Sequence, residues 1–280
     1  MQPQDIRSDA ATLYLDLLKK MLTRSGFESD YRPVTGWEGT VTGRVAGALQ
    51  RLLATRNLQL RRRVTSDPTY RLDGRDMPNE GETMIGLKRL DNLQYCVTDV
   101  IARNVPGDLI EAGVWRGGAA IFMRAILRAF DDTTRHVWVA DSFQGLPKPD
   151  EGRYPADRGD RHWTSRPLAV SRSVVQENFE RYGLFDDRVH FLEGWFKDTL
   201  PIAPIDQIAV MRLDGDMYES TMDALRALYP KLAVGGFVII DDYGAVPGCK
   251  VATDDFRTEH GITDEIQQID WTGVFWQRTA

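Results

Sequence analysis

The stretch DLIEAGVWRGGAA, residues 108–120, joins a short apolar run to a segment rich in small residues, with glycines between them. An apolar run of this length that ends at a glycine predicts a buried strand, and the small residues that follow predict the start of a helix. Gly113 permits a sharp exit from the strand, because glycine adopts backbone angles that other residues avoid. The stretch therefore predicts a strand, a tight turn and a helix, the repeating unit of an α/β fold.

The same alternation continues through the rest of the chain and predicts a parallel, doubly wound sheet with helices on both faces. The tail EIQQIDWTGVFWQR adds two strands around a tight turn at Thr272-Gly273, so the seven-stranded sheet is mostly parallel with an antiparallel hairpin at one edge. The five other predicted strands are 108–113, 136–141, 188–193, 208–213 and 236–240. The predicted helices between them are 118–130, 171–182, 219–232 and 247–260.

The residues before this sheet read as helices at about 9–25, 40–63 and 84–103, with a turn-rich connection between the second and the third. The basic run Arg61-Arg62-Arg63 is interpreted as an exposed helix face or helix end. We place a domain boundary at the end of that connection, with an N-terminal helical segment at 1–82 and a catalytic domain at 83–280.

Composition limits the class of protein. The 280 residues carry a formal net charge of −6, which argues against nucleic acid as a partner, because phosphate backbones require clustered Lys and Arg. No 18 consecutive apolar residues and no signal-peptide pattern occur, and Cys96 and Cys249 lack the spacing of metal ligands. We expect a cytoplasmic protein without a membrane partner.

Acidic residues stand at the predicted strand ends, and the carboxyl ends of parallel strands form the ligand-binding edge of such a sheet. Asp141 ends the second strand and predicts a contact to the ribose of a nucleoside cofactor; its alternative role is to cap the turn DSFQG. The spacing G-x-x-x-G-G after the first strand departs from the G-x-G-x-x-G dinucleotide fingerprint, and packing of the helix start is the alternative explanation for those glycines.

Four aspartates follow the last two parallel strands: Asp214 and Asp216 in RLDGDMYEST, and Asp241 and Asp242 in GGFVIIDDYG. If these strands are neighbours, the carboxylates converge, and such groups stay ionised together only beside a positive charge. Carboxylate oxygens without His or Cys favour a hard cation such as Mg²⁺. Helix capping and a pair that shares one proton remain as alternatives.

Six stretches together resemble the macrocin O-methyltransferase family, whose members are metal-dependent enzymes that use S-adenosylmethionine to methylate sugar hydroxyls of antibiotics and related natural products. They are TMIGLKRLDNLQ, LIEAGVWRGGAAIFMRA, VADSFQGLP, FLEGWFKDTLP, RLDGDMYESTMDAL and IIDDYG. The resemblance covers roughly residues 80–260 and the helix LYLDLLKK near the start. It implies a class I methyltransferase (Rossmann-like) fold, with the N-terminal helices forming part of a lid and a contact in a homo-oligomer.

The resemblance also implies roles for individual residues. The metal ligands would be Asp214, Asp241 and Asp242, as in the related catechol O-methyltransferase arrangement. Apart from the resemblance, removal of the hydroxyl proton needs a nearby base, for which we expect Asp216 or Asp214, with His162 as second choice. His162 lies in the 147–168 loop, which we interpret as a lid. The residues expected to bind S-adenosylmethionine are Thr83, Met84, Glu111, Gly113, Trp115, Gly117, Asp141, Ser142, Gly194, Trp195 and Asp214.

The sequence-based hypothesis is therefore a Mg²⁺-dependent O-methyltransferase that acts on a sugar hydroxyl of a glycosylated natural product. A catechol or other phenol is the alternative acceptor, because the same metal chemistry suits it. An NAD-dependent oxidoreductase on the same sheet and a noncatalytic binding module are more remote alternatives. Both leave the adjacent pair Asp241-Asp242 without a function.

Overall fold

The computed structural model describes residues 3–27, 30–34, 41–64 and 67–280. Its strands are β1 (Asp30–Pro33), β2 (Arg61–Val64), β3 (Asp108–Ala112), β4 (Val137–Asp141), β5 (Val189–Glu193), β6 (Ile208–Leu213), β7 (Leu232–Ile240), β8 (Gln267–Gln268) and β9 (Val274–Gln277). Its α-helices are α1 (Pro3–Leu22), α2 (Val41–Ala54), α3 (Pro68–Asp73), α4 (Leu87–Ala102), α5 (Gly118–Ala129), α6 (Arg172–Arg181), α7 (Phe196–Thr199), α8 (Tyr218–Leu228) and α9 (Pro247–Glu259).

The main sheet has seven strands in the order β5-β4-β3-β6-β7-β9-β8. The strands from β5 to β7 are parallel, whereas β9 runs antiparallel to β7 and pairs with β8. The chain order reverses between β3 and β6, and in sheets of this kind the carboxyl edge at that point is the ligand-binding crevice. The predicted fold class, including the antiparallel edge hairpin, is confirmed.

Each face of the sheet is covered by its own apolar core, which is why the inner strands are apolar on both sides. One core joins the sheet to α1, α4 and α5, with Leu15, Leu90 and Phe122 fully buried. The other joins it to α8 and α9, with Leu225 and Phe256 fully buried. Strand β6 has no exposed residue and lies between the two cores.

The N-terminal region differs in part from the sequence-based prediction. The stretch predicted as one helix over 40–63 is α2 followed by β2, and Arg61, Arg62 and Arg63 pair with β1 in a two-stranded antiparallel sheet. Hydrogen bonding between strands therefore overrides the helical tendency of this arginine-rich segment. Helix α1 packs against α5 and contributes to the same core as α4. The domain boundary at residue 82 stays a prediction.

Two irregular segments lie over the carboxyl edge of the sheet. The first, which we call the strap, is residues 74–86 between α3 and α4. The second, which we call the lid loop, is residues 147–168 between β4 and α6. The lid loop is not structureless, because it contains three short 3₁₀ turns at Pro155–Asp157, His162–Thr164 and Arg166–Leu168. Within the described ranges, no helix has the length and apolar character needed to cross a membrane.

Candidate active site

A cavity of about 770 Å³ opens at the carboxyl edge of the sheet, and this volume is in the range typical of small-molecule sites. The strap forms one wall with Thr83 and Met84, and the lid loop forms another with His162. The other predicted site residues that line the cavity are Glu111, Gly113, Trp115, Asp141, Ser142, Gly194, Trp195, Asp214, Asp216, Asp241 and Asp242.

Gly117 is absent from the described residues that line the cavity, although the sequence placed it with the cofactor. Its φ is +84°, and an added Cβ would lie 2.7 Å from the Val175 side chain. The small size of Gly117 thus serves the packing of α5 against α6, which is the alternative that the sequence left open.

The turn after β3 is narrow because it passes close to the end of β6. Gly113 has a φ of +89°, and an added Cβ would overlap the carbonyl oxygen of Asp214. Asp141, at the end of β4, accepts hydrogen bonds from the amides of Val114 at 2.8 Å and Phe143 at 2.7 Å. It therefore caps its own turn and orients the β3 turn, and its two oxygens keep lone pairs for a ligand's hydroxyl groups.

A fully buried arginine, Arg212 of β6, joins carboxylates of three neighbouring strands. It donates to Glu111 of β3 at 2.6 Å, to Asp214 at 2.9 Å and to Asp241 at the end of β7. Burial alone would lower the pKa of Arg212, but these three carboxylates raise it above its usual value, so the guanidinium stays charged.

A second arginine, Arg89 of α4, continues this network toward the strap and the edge hairpin. It donates to Asp241, to Asp270 at 3.0 Å and to the carbonyl oxygen of Gly74 at 3.2 Å. Asp241 is only 3% exposed and accepts from both arginines. The two oxygens of Asp241 are thus engaged by guanidinium groups.

Three carboxylates converge at the cavity wall: Asp214, Asp216 and Asp242 each offer an oxygen within 4.8 Å of the others. Asp241 lies outside this group, contrary to the sequence-based ligand set, and Asp216 takes its place. The reason is strand geometry, because neighbouring residues at the end of an extended strand point to opposite sides. Asp241 turns to the arginines, whereas Asp242 turns to Asp216, whose backbone amide lies 3.3 Å from its carboxylate.

These carboxylates repel one another in a poorly solvated place. Burial, and after it the charge of Asp214, raises the pKa of Asp216 to about 7. Burial and the charges of Asp216 and Asp214 raise the pKa of Asp242 well above its usual value. An oxygen-only donor set that is costly to ionise without a positive charge fits a hard divalent cation.

Glu111 is a further carboxyl group that faces the cavity. It is 2% exposed, and its Oε2 atom has no hydrogen-bond partner in the described chain. Burial raises its pKa to about 8, against the opposing effect of Arg212. A buried polar atom without a partner is costly, so the Glu111 carboxyl group fits a bound molecule that supplies a hydrogen-bond donor.

His162 lies on the lid loop beside the carboxylate group, and its side chain is 47% exposed. Its Nδ1 atom is 2.7 Å from Asp160, which also accepts from the His162 amide at 2.8 Å. Burial lowers the pKa of His162, but the hydrogen bond to Asp160 and the charge of Asp216 more than offset this and raise it. This pair has the arrangement of a proton acceptor oriented by a carboxylate.

Sequence reasoning missed Arg89, Arg212 and Asp160. Arg212 left a signal, because it is a charged residue inside the apolar run IAVMRL, and a buried charge needs a partner. Arg89 left none, since an arginine near the start of an amphipathic helix is common on surfaces. Asp160 stands two residues before His162, but a loop sequence does not predict that the two side chains meet.

The open, mostly parallel sheet with an antiparallel edge hairpin and a ligand cavity at the switch point defines a class I methyltransferase. A model of the macrocin-O-methyltransferase (TylF) family matches residues 11–278. The chain belongs to the macrocin O-methyltransferase family.

Named relatives agree with this assignment. The chain is 53% identical over 276 residues to mycinamicin III 3''-O-methyltransferase of Micromonospora griseorubida, which covers 98% of this chain and 99% of the relative. It is 52% identical over 273 residues to 8-demethyl-8-(2,3-dimethoxy-alpha-L-rhamnosyl)-tetracenomycin-C 4'-O-methyltransferase of Streptomyces olivaceus. That match covers 97% of this chain and 95% of the relative. The solved structure of the O-methyltransferase NovP is similar with a TM-score of 0.82 and 49% identity, covering 96% of this chain and 100% of NovP.

The protein is an O-methyltransferase, and family membership implies S-adenosylmethionine as the methyl donor. The oxidoreductase and noncatalytic alternatives raised by the sequence are therefore wrong.

Proposed function

We propose that this enzyme methylates a sugar hydroxyl of a glycosylated natural product with the help of Mg²⁺. The observation that carries the proposal is that one cavity is lined by the predicted cofactor residues, by the carboxylates of Asp214, Asp216 and Asp242, and by His162. Two relatives named for methylation of a glycosylated antibiotic or its intermediate support the acceptor class.

The cofactor half of the cavity is proposed to lie between the strap and the β3 turn. Thr83 and Met84 line it from the strap, Asp141 offers its remaining lone pairs to ribose hydroxyls, and Glu111 offers its unpartnered Oε2. Bound S-adenosylmethionine supplies an electrophilic methyl group, and the walls contribute by orientation. Orientation of two reactants accounts for up to about 7–11 kcal/mol of barrier lowering in favourable cases.

We propose Asp214, Asp216 and Asp242 as the metal ligands, in place of the set with Asp241. A Mg²⁺ ion held there would supply charge stabilisation to an acceptor oxygen. Arg212 holds one oxygen of Asp214 at 2.9 Å and thereby fixes the other toward the group. Asp242 is held in turn by the Asp216 amide.

With Asp216 among the ligands, His162 becomes the proposed base. Asp160 accepts from Nδ1–H of His162, so the neutral tautomer presents Nε2 as the proton acceptor. Proton transfer by a positioned side chain of this kind typically contributes a factor of about 10²–10⁴. The hydroxyl proton therefore passes from the acceptor oxygen to Nε2 of His162.

The remaining cavity lining favours a sugar over a catechol as acceptor. Asp150, Arg153, Lys197, Glu219 and Asp223 all line it, and they combine three carboxylate acceptors with two cationic donors. A polyhydroxylated ring can satisfy such a wall, whereas a flat phenol would leave most of these charged groups desolvated and unpaired.

Acceptor screening by mass spectrometry tests the proposal. We expect methyl transfer to deoxysugar glycosides, none to their aglycones, and loss of turnover in excess chelator with recovery on adding Mg²⁺. Methylation of simple catechols at higher kcat/KM than any glycoside would move the assignment to the phenol alternative, and full activity in chelator would refute the metal. A cytoplasmic location and a homo-oligomeric state remain predictions; sedimentation velocity tests the second.

A further inference from the structure

The turn between β3 and α5 carries two large adjacent side chains, Trp115 and Arg116. Trp115 lines the cavity, and the Arg116 guanidinium lies over its ring, 4.2 Å from the ring centre. Trp115 has a φ of +48°, in the left-handed region that a tryptophan rarely adopts. A backbone held in this conformation directs the two side chains to the strap and to the lid loop.

Arg116 holds the strap. Its Nη1 atom lies 2.8 Å from the carbonyl oxygens of Asn79 and of Gly81, and 3.5 Å from that of Pro78. These carbonyls lie in a segment outside helices and strands, and directly before Thr83 and Met84, which line the cavity. A guanidinium shared among several backbone carbonyls thus fixes the course of the strap where it reaches the cavity.

Trp115 holds the lid loop. Its Nε1–H donates to the carbonyl oxygen of Pro167 at 2.9 Å. A second contact fixes the loop at Asp157, which accepts from the amides of Tyr218 at 2.6 Å and Glu219 at 3.2 Å. His162 stands midway between these two attachment points.

We propose that Trp115 and Arg116 are positioning residues that fasten the lid loop and the strap over the cavity from a single turn. Through Arg116 the turn sets the affinity for the cofactor, and through Trp115 it sets the placement of His162. The second half rests on the proposed function, because it matters for catalysis only if His162 is the base.

The energetic weight differs between the two contacts. Hydrogen bonds from a charged donor contribute more than those from a neutral one, so loss of the Arg116 contacts should weaken cofactor binding about 10- to 100-fold. Loss of the single neutral contact of Trp115 should lower kcat/KM about 3- to 10-fold. Neither change removes a group that we place in contact with reacting atoms.

Arg116→Gln tests the first half. We expect faster hydrogen–deuterium exchange in residues 76–85 and a weaker Kd for S-adenosylhomocysteine by calorimetry, with an intermediate result for Arg116→Lys, which keeps one donor. Arg128→Gln is the matched control, because Arg128 of the same helix α5 also donates to a backbone carbonyl, that of Gly183, at 2.9 Å. It should leave the Kd and the exchange of the strap unchanged.

Trp115→Phe tests the second half, since phenylalanine keeps an aromatic ring under Arg116 and removes only the N–H donor and part of the ring. We expect faster exchange in residues 158–168 and a lower kcat. Trp163→Phe is the control, because Trp163 makes no indole N–H hydrogen bond with any described residue. It should keep both the exchange and the kcat of the wild type.

The results separate this inference from the proposed function. Unchanged strap exchange and Kd in Arg116→Gln and Arg116→Lys would overturn the role of Arg116, whatever the acceptor is. Faster lid exchange in Trp115→Phe without a loss of kcat would overturn the catalytic part of the role of Trp115. A wild-type enzyme inactive on every glycoside would refute the proposed function, while the exchange and Kd results would still decide the fastening of strap and lid.

Discussion

Asp241→Asn and Asp242→Asn should have opposite effects on this enzyme, although the two residues are adjacent. Asp241 is 3% exposed and accepts from the guanidinium groups of Arg89 and Arg212. An asparagine keeps one acceptor oxygen but turns an NH₂ donor toward the other arginine. Breaking one partner of a buried ion pair typically costs about 3–5 kcal/mol, because the remaining charge stays buried without compensation. For a chain of this length we therefore expect the melting temperature to fall by roughly 5–9 °C.

For Asp242→Asn the expected change in melting temperature has the opposite sign in the metal-free enzyme. Burial and the charges of Asp216 and Asp214 raise its pKa well above the ordinary value of 3.8. Above about pH 3.8 the folded state therefore binds more protons than the unfolded chain. Stability then falls as the pH rises from the ordinary pKa of an aspartate toward the raised pKa of Asp242. At about pH 8 an asparagine removes the repulsion, and Asp242→Asn should melt above the wild type.

Melting curves at pH 8 with and without Mg²⁺ make the comparison complete. Saturating Mg²⁺ should raise the melting temperature of the wild type and of Asp241→Asn, since a ligand at about 100 times its Kd adds about 2.7 kcal/mol. It should leave Asp242→Asn unchanged. Asp206→Asn, at an exposed position, is the control and should behave as the wild type. If Asp241→Asn kept the wild-type melting temperature but lost the response to Mg²⁺, Asp241 would be the ligand and the reasoning would fail.

Three further outcomes can be checked with single substitutions. The hydrogen bond to Asp160 raises the pKa of His162, so Asp160→Asn should shift the acid limb of the kcat/KM profile to lower pH and reduce the plateau; an unmoved limb would exclude His162 as the base. Burial and the neighbouring His136 lower the pKa of His190. The free energy of unfolding, measured by urea titration, should therefore fall as the pH drops below about 6.5, and it should fall less in His190→Phe. Equal pH slopes in the two proteins would contradict this. Gly113→Ala should lower the free energy of unfolding by more than about 2 kcal/mol and should weaken Mg²⁺ binding, because the added Cβ displaces Asp214. Gly183→Ala is the control: the φ of Gly183 is +65° but its surroundings are open, so the loss should be about 1 kcal/mol. Comparable losses in the two variants would refute the overlap argument.

The sheet could be predicted from the sequence because its signal is repeated. Each apolar run that ends at a glycine or an acidic residue is followed by a helical period, and the parallel order with a terminal hairpin follows from that alternation. The two-stranded sheet of β1 and β2 could not be predicted, because its pairing joins short polar segments about 30 residues apart. Local periodicity carries no information about such a contact, and the arginines of β2 are compatible with a helix.

The candidate site was predictable in its composition but not in the direction of its side chains. The sequence places Asp241 and Asp242 at one strand end, and only the strand's own alternation decides which one turns to the cavity. Asp216 joins the group because its φ of +56° turns the chain back after Asp214. The sequence LDGD does not predict that turn. Which of the four aspartates converge thus depends on backbone angles, which is why the ligand set expected from the sequence differs in one residue from the group that the fold brings together.

The arginines explain why a cation would bind at one place among so many acids. Within the described chain Arg89 and Arg212 pair with four carboxylates, those of Glu111, Asp214, Asp241 and Asp270. Asp216 and Asp242 lie beside Asp214, so full ionisation would set six negative charges against two positive ones. The guanidinium groups lie beside Glu111, Asp241 and Asp270, and only one of the three cavity carboxylates, Asp214, contacts either of them. The excess is therefore concentrated on the aspartates of the cavity wall, where the raised pKa values show its cost. Because a cation would relieve that cost only where the arginines do not already do so, the buried arginines would select the proposed metal ligands as much as the aspartates themselves.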